Sequence, residues 1–152
     1  MNEPKEYIIL KETIDSFFAN YTLSYKRDSL VGNPYNFSYE FSLNHSSWQI
    51  KTDPLVFLDP VSTAFMVNSV IKFEFYYTKS VETLANVYSM RIVITHLIEE
   101  YKQSFVYTDL AELLKTFKEI FNIFKSDIIA CNTEHFVLSL NNFKNYCTLS
   151  QL

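Results

Sequence analysis

The chain has 152 residues and a formal net charge of −4, because 13 basic residues face 17 acidic ones. This acidic balance argues against nucleic-acid binding, which draws most of its affinity from Lys and Arg contacts to phosphates. The single glycine, Gly32, excludes the glycine-rich loops that hold nucleotide phosphates in the common nucleotide-binding folds.

The first predicted element is a helix over residues 4–20. Pro4 suits a first helical turn. Apolar residues then recur three or four positions apart, at Tyr7, Leu10, Ile14, Phe17 and Tyr21. This spacing gives one apolar stripe, so the helix should pack one face on a core.

Residues 35–77 should form antiparallel strands. The stretch YNFSYEFSL at 35–43 alternates large apolar and polar side chains with a period of two, as in a strand with one buried face. A short return strand is expected at 48–51. The proline-bracketed segment 52–60 is typical of an edge strand or a bracing loop. A longer strand follows over residues 66–77.

A second helix is predicted from Ser80, a suitable N-cap, to about Gln103. Its apolar stripe would consist of Leu84, Val87, Ile94, Leu97, Ile98 and Tyr101. The run IVIT at 92–95 is β-branched throughout and equally typical of a strand. The sequence therefore leaves residues 90–98 open between helix and strand.

The helix at 108–130 has the most regular pattern in the chain. Asp109 and Glu112 resemble a capping box at its start. The apolar residues then step by four and three along one face: Leu110, Leu114, Phe117, Phe121, Phe124 and Ile128. The sequence HFVLSL at 135–140 predicts a final short strand, followed by a mostly polar tail.

This element order predicts an α+β fold in a single domain spanning residues 1–152. We expect a two-layer arrangement, an antiparallel sheet of about four strands packed against two or three amphipathic helices. The segment ANVYSMRIVITHLIEEY, as a long helix after the strands, resembles SecB-type export chaperones in element order and acidity. The resemblance implies an oligomer, and no functional residue is carried over from it.

The sequence offers few candidates for catalysis or metal binding. On the predicted helix, His96, Glu99 and Glu100 would share one face, but the zincin-like pattern requires a second histidine that is absent there. Cys131 and Cys147 form no CxxC pair, and no neighbouring base would activate either thiol. We therefore predict no catalytic residue, no metal and no cofactor, and a protein that is not an enzyme.

The aromatic strands allow two interpretations. Their rings are expected to form the wall of the core, since amphipathic helices need such a surface to pack on. The alternative is a pocket for a small molecule or a peptide between sheet and helices. Its walls would be Phe37, Tyr39, Phe41, Phe73 and Phe75.

Some apolar residues are left over on positions expected to be exposed. Val70 and Tyr76 lie on the polar side of the 66–77 strand, and Phe143 and Tyr146 lie in the tail. Exposed aromatics are typical of interfaces. We therefore predict a protein-interaction module (an adaptor, an inhibitor or immunity factor, or a chaperone-like subunit) that binds a protein partner or self-associates. No apolar run reaches the roughly 18 residues of a membrane helix, and no signal peptide is visible, so we expect a cytoplasmic protein without a membrane partner.

Overall fold

The computed structural model describes residues 3–29, 35–44 and 68–150, and the structural statements below concern this part of the chain. The segments predicted at 48–51 and 52–60 lie outside it. The described elements are α1 (Lys5–Ala19), β1 (Lys26–Asp28), β2 (Asn36–Asn44), β3 (Asn68–Lys79), β4 (Asn86–His96), β5 (Glu99–Tyr107), α2 (Leu110–Ala130) and α3 (Phe136–Ser150).

The strands form one antiparallel sheet in the order β1-β2-β3-β4-β5, so each strand pairs with its neighbour in sequence. All three helices contribute side chains to one hydrophobic core with the sheet. The α+β two-layer prediction is confirmed, with five described strands. Among the described helices, none combines the length and the apolar character that crossing a bilayer requires.

The inner face of the sheet, which the helices cover, is built from alternate residues of each strand. In β2 and β3, Phe37 pairs with Phe75 and Tyr39 pairs with Phe73. The rings of Phe37 and Phe75 stack with centroids 5.1 Å apart. These rings are buried, which confirms that the aromatic face of the 35–43 strand is a wall of the core.

Helix α1 is joined to the sheet by polar contacts as well as by its apolar stripe. The Tyr7 hydroxyl donates a hydrogen bond to the Asn36 carbonyl oxygen over 3.0 Å. The guanidinium of Arg27 donates twice, over 3.3 Å, to the carboxylate of Asp15, which also accepts from the Tyr39 hydroxyl. These contacts tie the short edge strand β1 to the helix, and the helix predicted at 4–20 is confirmed.

Helix α2 matches the prediction at 108–130. The Asp109 carboxylate caps its first turn by accepting from the Ala111 amide over 3.0 Å. The helix ends at Ala130, and the next residue, Cys131, caps it with a left-handed φ of 57°. Ring contacts of Phe17 with Phe117 and Phe121, at 5.0 and 5.1 Å, pack α1 on this helix.

The helix predicted at 80–103 is wrong. This region forms β4 and β5 instead, and the buried residues of β4 alternate: Tyr88, Met90, Ile92 and Ile94. A period of two with β-branched residues favours the sheet over a helix. Ser80 does accept a hydrogen bond from the Thr83 amide over 3.3 Å, but that contact closes the loop between β3 and β4. The resemblance to SecB-type chaperones depended on this helix and loses its support.

The final strand predicted at 135–140 is also wrong, because these residues begin α3. The buried residues of α3 are spaced by four, three and four: Phe136, Leu140, Phe143 and Cys147. Leu138, which an alternating strand would have buried, is 63% exposed. The predicted polar tail is therefore the rest of an amphipathic helix that packs on α2 through Phe124.

Candidate interaction surface

The outer face of the sheet points away from all three helices. It carries the alternate strand residues that the core does not use, including Val70 and Tyr76, two of the predicted interface residues. Its charged residues balance: Lys26, Lys72, Arg91 and Lys102 against Asp28, Glu40, Glu74 and Glu100. Over the described strands this face is therefore close to neutral in an acidic chain, and these residues form no basic patch for a nucleic acid.

A depression crosses the outer face over β3, β4 and β5, and we call it the outer groove. Its volume is about 430 Å³. It is lined by Tyr76, Tyr77, Thr78, Ser89, Met90, Arg91, Ser104 and Val106. The register explains this set, because Ser89 lies between Tyr76 on β3 and Val106 on β5. Tyr76 therefore forms an aromatic wall of the groove and Val106 an aliphatic one, and the polar floor between them contains Ser89, Arg91 and Ser104.

A buried carboxylate, Glu74, contacts two of the residues that line the outer groove, Arg91 and Tyr76. Glu74 accepts from Arg91 Nε at 2.5 Å and from the Tyr76 hydroxyl at 2.9 Å, and it forms an ion pair with Lys72 at 3.3 Å. Burial alone would raise the pKa of Glu74, but these hydrogen bonds outweigh it and leave the pKa below its ordinary value. Burial, followed by the hydrogen bond to Glu74, raises the pKa of Tyr76 to about 12. Glu74 is therefore ionised and Tyr76 neutral at pH 7.

Arg91 is held in place by two hydrogen bonds, and these leave some of its N–H donors unused. Its Nε is occupied by Glu74, and one Nη2 hydrogen bond reaches the Tyr76 hydroxyl at 3.4 Å. A guanidinium has five N–H donors, so donors remain beyond these two hydrogen bonds on a side chain that lines the groove. Ser104 lies opposite Arg91 in the register, and Ser89 precedes Arg91 on the same face. Within the described residues neither serine hydroxyl makes a side-chain hydrogen bond, so this floor offers several donors to an acceptor group.

The predicted pocket walls lie elsewhere. All five are buried on the inner face, where rings of α1 and α2 contact them: Phe37, Tyr39, Phe41, Phe73 and Phe75. A ligand pocket at these rings stays a prediction, and it would require the helices to move off the sheet.

The two predicted interface residues in the tail differ in their placement. Phe143 is fully buried between the rings of Tyr101 and Phe124, at centroid distances of 5.8 and 5.4 Å. The expectation that it is exposed is therefore wrong, because the tail is a helix and Phe143 faces the core. Tyr146 is partly buried against the same core.

The three residues weighed as a metal site share no helical face. His96 ends β4, Glu99 pairs with it across the turn, and Glu100 points to the outer face. His96 Nδ1 lies 2.7 Å from the Ser69 hydroxyl, and burial lowers the pKa of this histidine against the opposing effect of Glu99. Ser69 is buried, so its hydroxyl has no access to a substrate. In the described ranges no group of three ligating side chains comes together.

Sequence reasoning missed Ser89, Arg91, Ser104 and Val106 as neighbours, because it placed them on or beside a single helix. Only the β4–β5 pairing brings Ser104 and Val106 next to Arg91 and Ser89. The alternation of Tyr88, Met90, Ile92 and Ile94 was the signal that would have revealed the strand and its outward-facing residues.

Comparison of the chain with protein-family models, with curated proteins and with solved structures found no match.

Proposed function

We propose that this protein is an interaction module that binds an acidic, extended segment of a protein partner in the outer groove. The observation that supports this proposal is the positioned Arg91 guanidinium, with the Ser89 and Ser104 hydroxyls beside it, between Tyr76 and Val106. Guanidinium donors match the geometry of a carboxylate, and hydroxyls add hydrogen bonds from the sides.

The local charge favours an acidic partner. Of the residues that line the groove, Arg91 is the charged one, and its guanidinium presents a positive charge there beside its ion pair with Glu74. A carboxylate from a partner would neutralise it, and this region would then attract acidic segments although the whole chain carries −4. The apolar walls at Tyr76 and Val106 suit a hydrophobic side chain next to the acidic one.

Binding rather than catalysis is the role that the groove chemistry favours. Arg91 lines the groove and is bound to Glu74, and a guanidinium, which stays protonated, is suited to binding an acceptor group rather than to transferring a proton. The two cysteines are free thiols, which supports a reducing compartment such as the cytoplasm.

The size of the groove supports a second candidate, a small-molecule ligand. Its volume of about 430 Å³ lies within the roughly 300–1,000 Å³ of ordinary ligand sites. Native mass spectrometry of protein purified from its own source separates the two, since a retained small molecule would add a discrete mass.

The test of the proposed function is a selection of random peptides displayed on phage, followed by fluorescence polarisation with the selected peptides. Ser89→Trp fills the groove with a large ring at a strand position that tolerates aromatics. Thr95→Trp is the matched control, because Thr95 lies on the outer face of the same strand but outside the groove.

We expect the selected peptides to share an acidic residue next to an apolar one. Their affinity should fall at least about tenfold for Ser89→Trp, the effect of losing one good charge-assisted contact, and stay unchanged for Thr95→Trp. Peptides without an acidic residue, or peptides that bind both variants equally, would refute the proposal.

A further inference from the structure

Strand β5 forms one edge of the sheet in the part of the chain that the structure describes. It is the last strand in the order and among the described residues it pairs only with β4. It is nine residues long and contains no proline, whereas the opposite edge, β1, has three residues. A long unpaired edge offers a row of backbone donors and acceptors to another strand.

The hairpin geometry determines which residues present those groups. Leu97 and Ile98 form a two-residue turn, so His96 and Glu99 close the hairpin as a hydrogen-bonded pair. Hydrogen-bonded and non-bonded pairs then alternate along β5. Glu100, Lys102 and the even-numbered residues after them therefore direct their amide and carbonyl groups toward the open edge.

The charges of Glu100 and Lys102 allow β5 to pair with a second copy of itself. Suppose that two copies of β5 pair antiparallel about a twofold axis at Tyr101. Glu100 of one copy then faces Lys102 of the other, and Lys102 faces Glu100. Each of these pairs would exchange two backbone hydrogen bonds and place opposite charges across the strands, an arrangement that stabilises antiparallel pairing.

Other registers lack this match. Centring the pair on Lys102 or on Glu100 places like charges directly opposite each other, which is destabilising. Centring it on Gln103 places Glu100 opposite Val106 and leaves both charges without a partner. The register at Tyr101 also brings Ile98, which is 87% exposed in the single chain, opposite Ser104 of the other copy.

We propose that a second copy of this chain binds along β5, in an antiparallel register centred on Tyr101, so that two five-stranded sheets become one continuous sheet. Ser104 and Val106 of β5 also line the outer groove, but the second copy pairs with the backbone edge of β5 and not with the outer face, so the proposal does not depend on the proposed function.

The test uses charge reversal and sedimentation velocity over a concentration series. In the single chain, Glu100 and Lys102 form an ion pair at 3.1 Å with both side chains about half exposed, so neither reversal should unfold the protein. Lys102→Glu and Glu100→Lys each place like charges opposite in a homodimer. The matched control is Lys26→Glu, which disrupts the equivalent exposed pair with Asp28 on the opposite edge.

We expect the wild-type chain and Lys26→Glu to dimerise, and each β5 variant alone to dimerise about tenfold more weakly or worse. Mixing the two β5 variants should restore a heterodimer, and the double variant E100K/K102E should dimerise like the wild type. Circular dichroism confirms that each variant is folded. A wild-type chain that stays monomeric, a Lys102→Glu variant that dimerises normally, or a mixture that shows no rescue would overturn the proposal.

Discussion

Replacing Arg91 by valine should reveal how strongly the outer face depends on the ion pair with Glu74. The Glu74 side chain is 4% exposed and that of Arg91 is 39% exposed, with 2.5 Å between the paired atoms. Removing one partner of a buried pair costs roughly 3–5 kcal/mol. Lys72 and the Tyr76 hydroxyl still contact the carboxylate, so we expect Arg91→Val to lower the free energy of unfolding by about 2 kcal/mol.

The reverse substitution should cost less. Glu74→Val leaves Arg91 and Lys72 without their carboxylate partner, but both side chains are partly exposed and water can reach them, so a loss of about 1 kcal/mol is expected. The double variant removes both charges and places two strand-favouring side chains opposite each other, and its loss should also be about 1 kcal/mol. The double-mutant cycle therefore predicts a coupling energy of about 2 kcal/mol between Glu74 and Arg91.

The coupling should also depend on pH with a definite sign. Because the pKa of Glu74 in the folded protein lies below its ordinary value, its contribution to stability is fully present above an ordinary pKa of about 4.3. It is lost as the pH falls through the lower folded-state pKa. The stability difference between wild type and Arg91→Val should therefore shrink in acid.

Urea unfolding followed by circular dichroism, at neutral and at acidic pH, measures all four free energies. The slopes with urea should be equal, so that the midpoints compare stability alone. Strictly additive effects of Arg91→Val and Glu74→Val at neutral pH would refute the reasoning, since they would mean that the two side chains do not share one buried network.

Three further predictions concern the helices. Phe143→Ala should lower the free energy of unfolding by about 3–5 kcal/mol, because the ring is fully buried. Leu149→Ala, on the exposed side of α3, should change it by less than about 0.5 kcal/mol. Equal urea midpoints for the two variants would contradict the position of α3. Burial raises the pKa of the Cys147 thiol to about 11, so a thiol reagent at pH 8 should label the half-buried Cys131 first, and faster labelling of Cys147 in the folded protein would contradict its burial. Asp109→Ala removes the cap of α2 and should lower the free energy of unfolding by about 1 kcal/mol, measured by thermal unfolding. An unchanged stability would contradict the capping role of Asp109.

The sequence predicted the elements whose pattern admits one interpretation. The apolar stripe from Leu110 to Ile128 runs along nearly the whole of α2, which has 21 residues, and a polar cap precedes it, so length and periodicity agree. The alternation at 35–43 likewise has one period, and its burial follows from the need of α1 and α2 for a surface to pack on.

The errors arose where turn signals were missing or the pattern was short. Leu97 takes a left-handed φ of 58° in the β4–β5 turn, a conformation that glycine and asparagine usually adopt. Without either residue, the sequence shows no break between β4 and β5. In HFVLSL, six residues fit a strand as well as a helix, and only the later positions of Phe143 and Cys147 distinguish the helix.

The outer groove could not be predicted from the sequence for the same reason, the missing turn signal between β4 and β5. Arg91 and Ser104 are 13 positions apart in the chain, and the pairing of β4 with β5 places them side by side. A helix over the same residues would have separated them, so the site depends on the turn that the sequence did not signal.

The most direct test of the account is to locate bound peptide by NMR. The protein is labelled with ¹⁵N and titrated with an acidic peptide obtained from the phage selection. We expect the amide resonances of Ser89, Arg91 and Ser104 to shift in proportion to binding, while those of Phe37 and Phe73 on the inner face stay in place. Shifts confined to the inner-face residues would contradict the account and would assign binding to a pocket between the sheet and the helices.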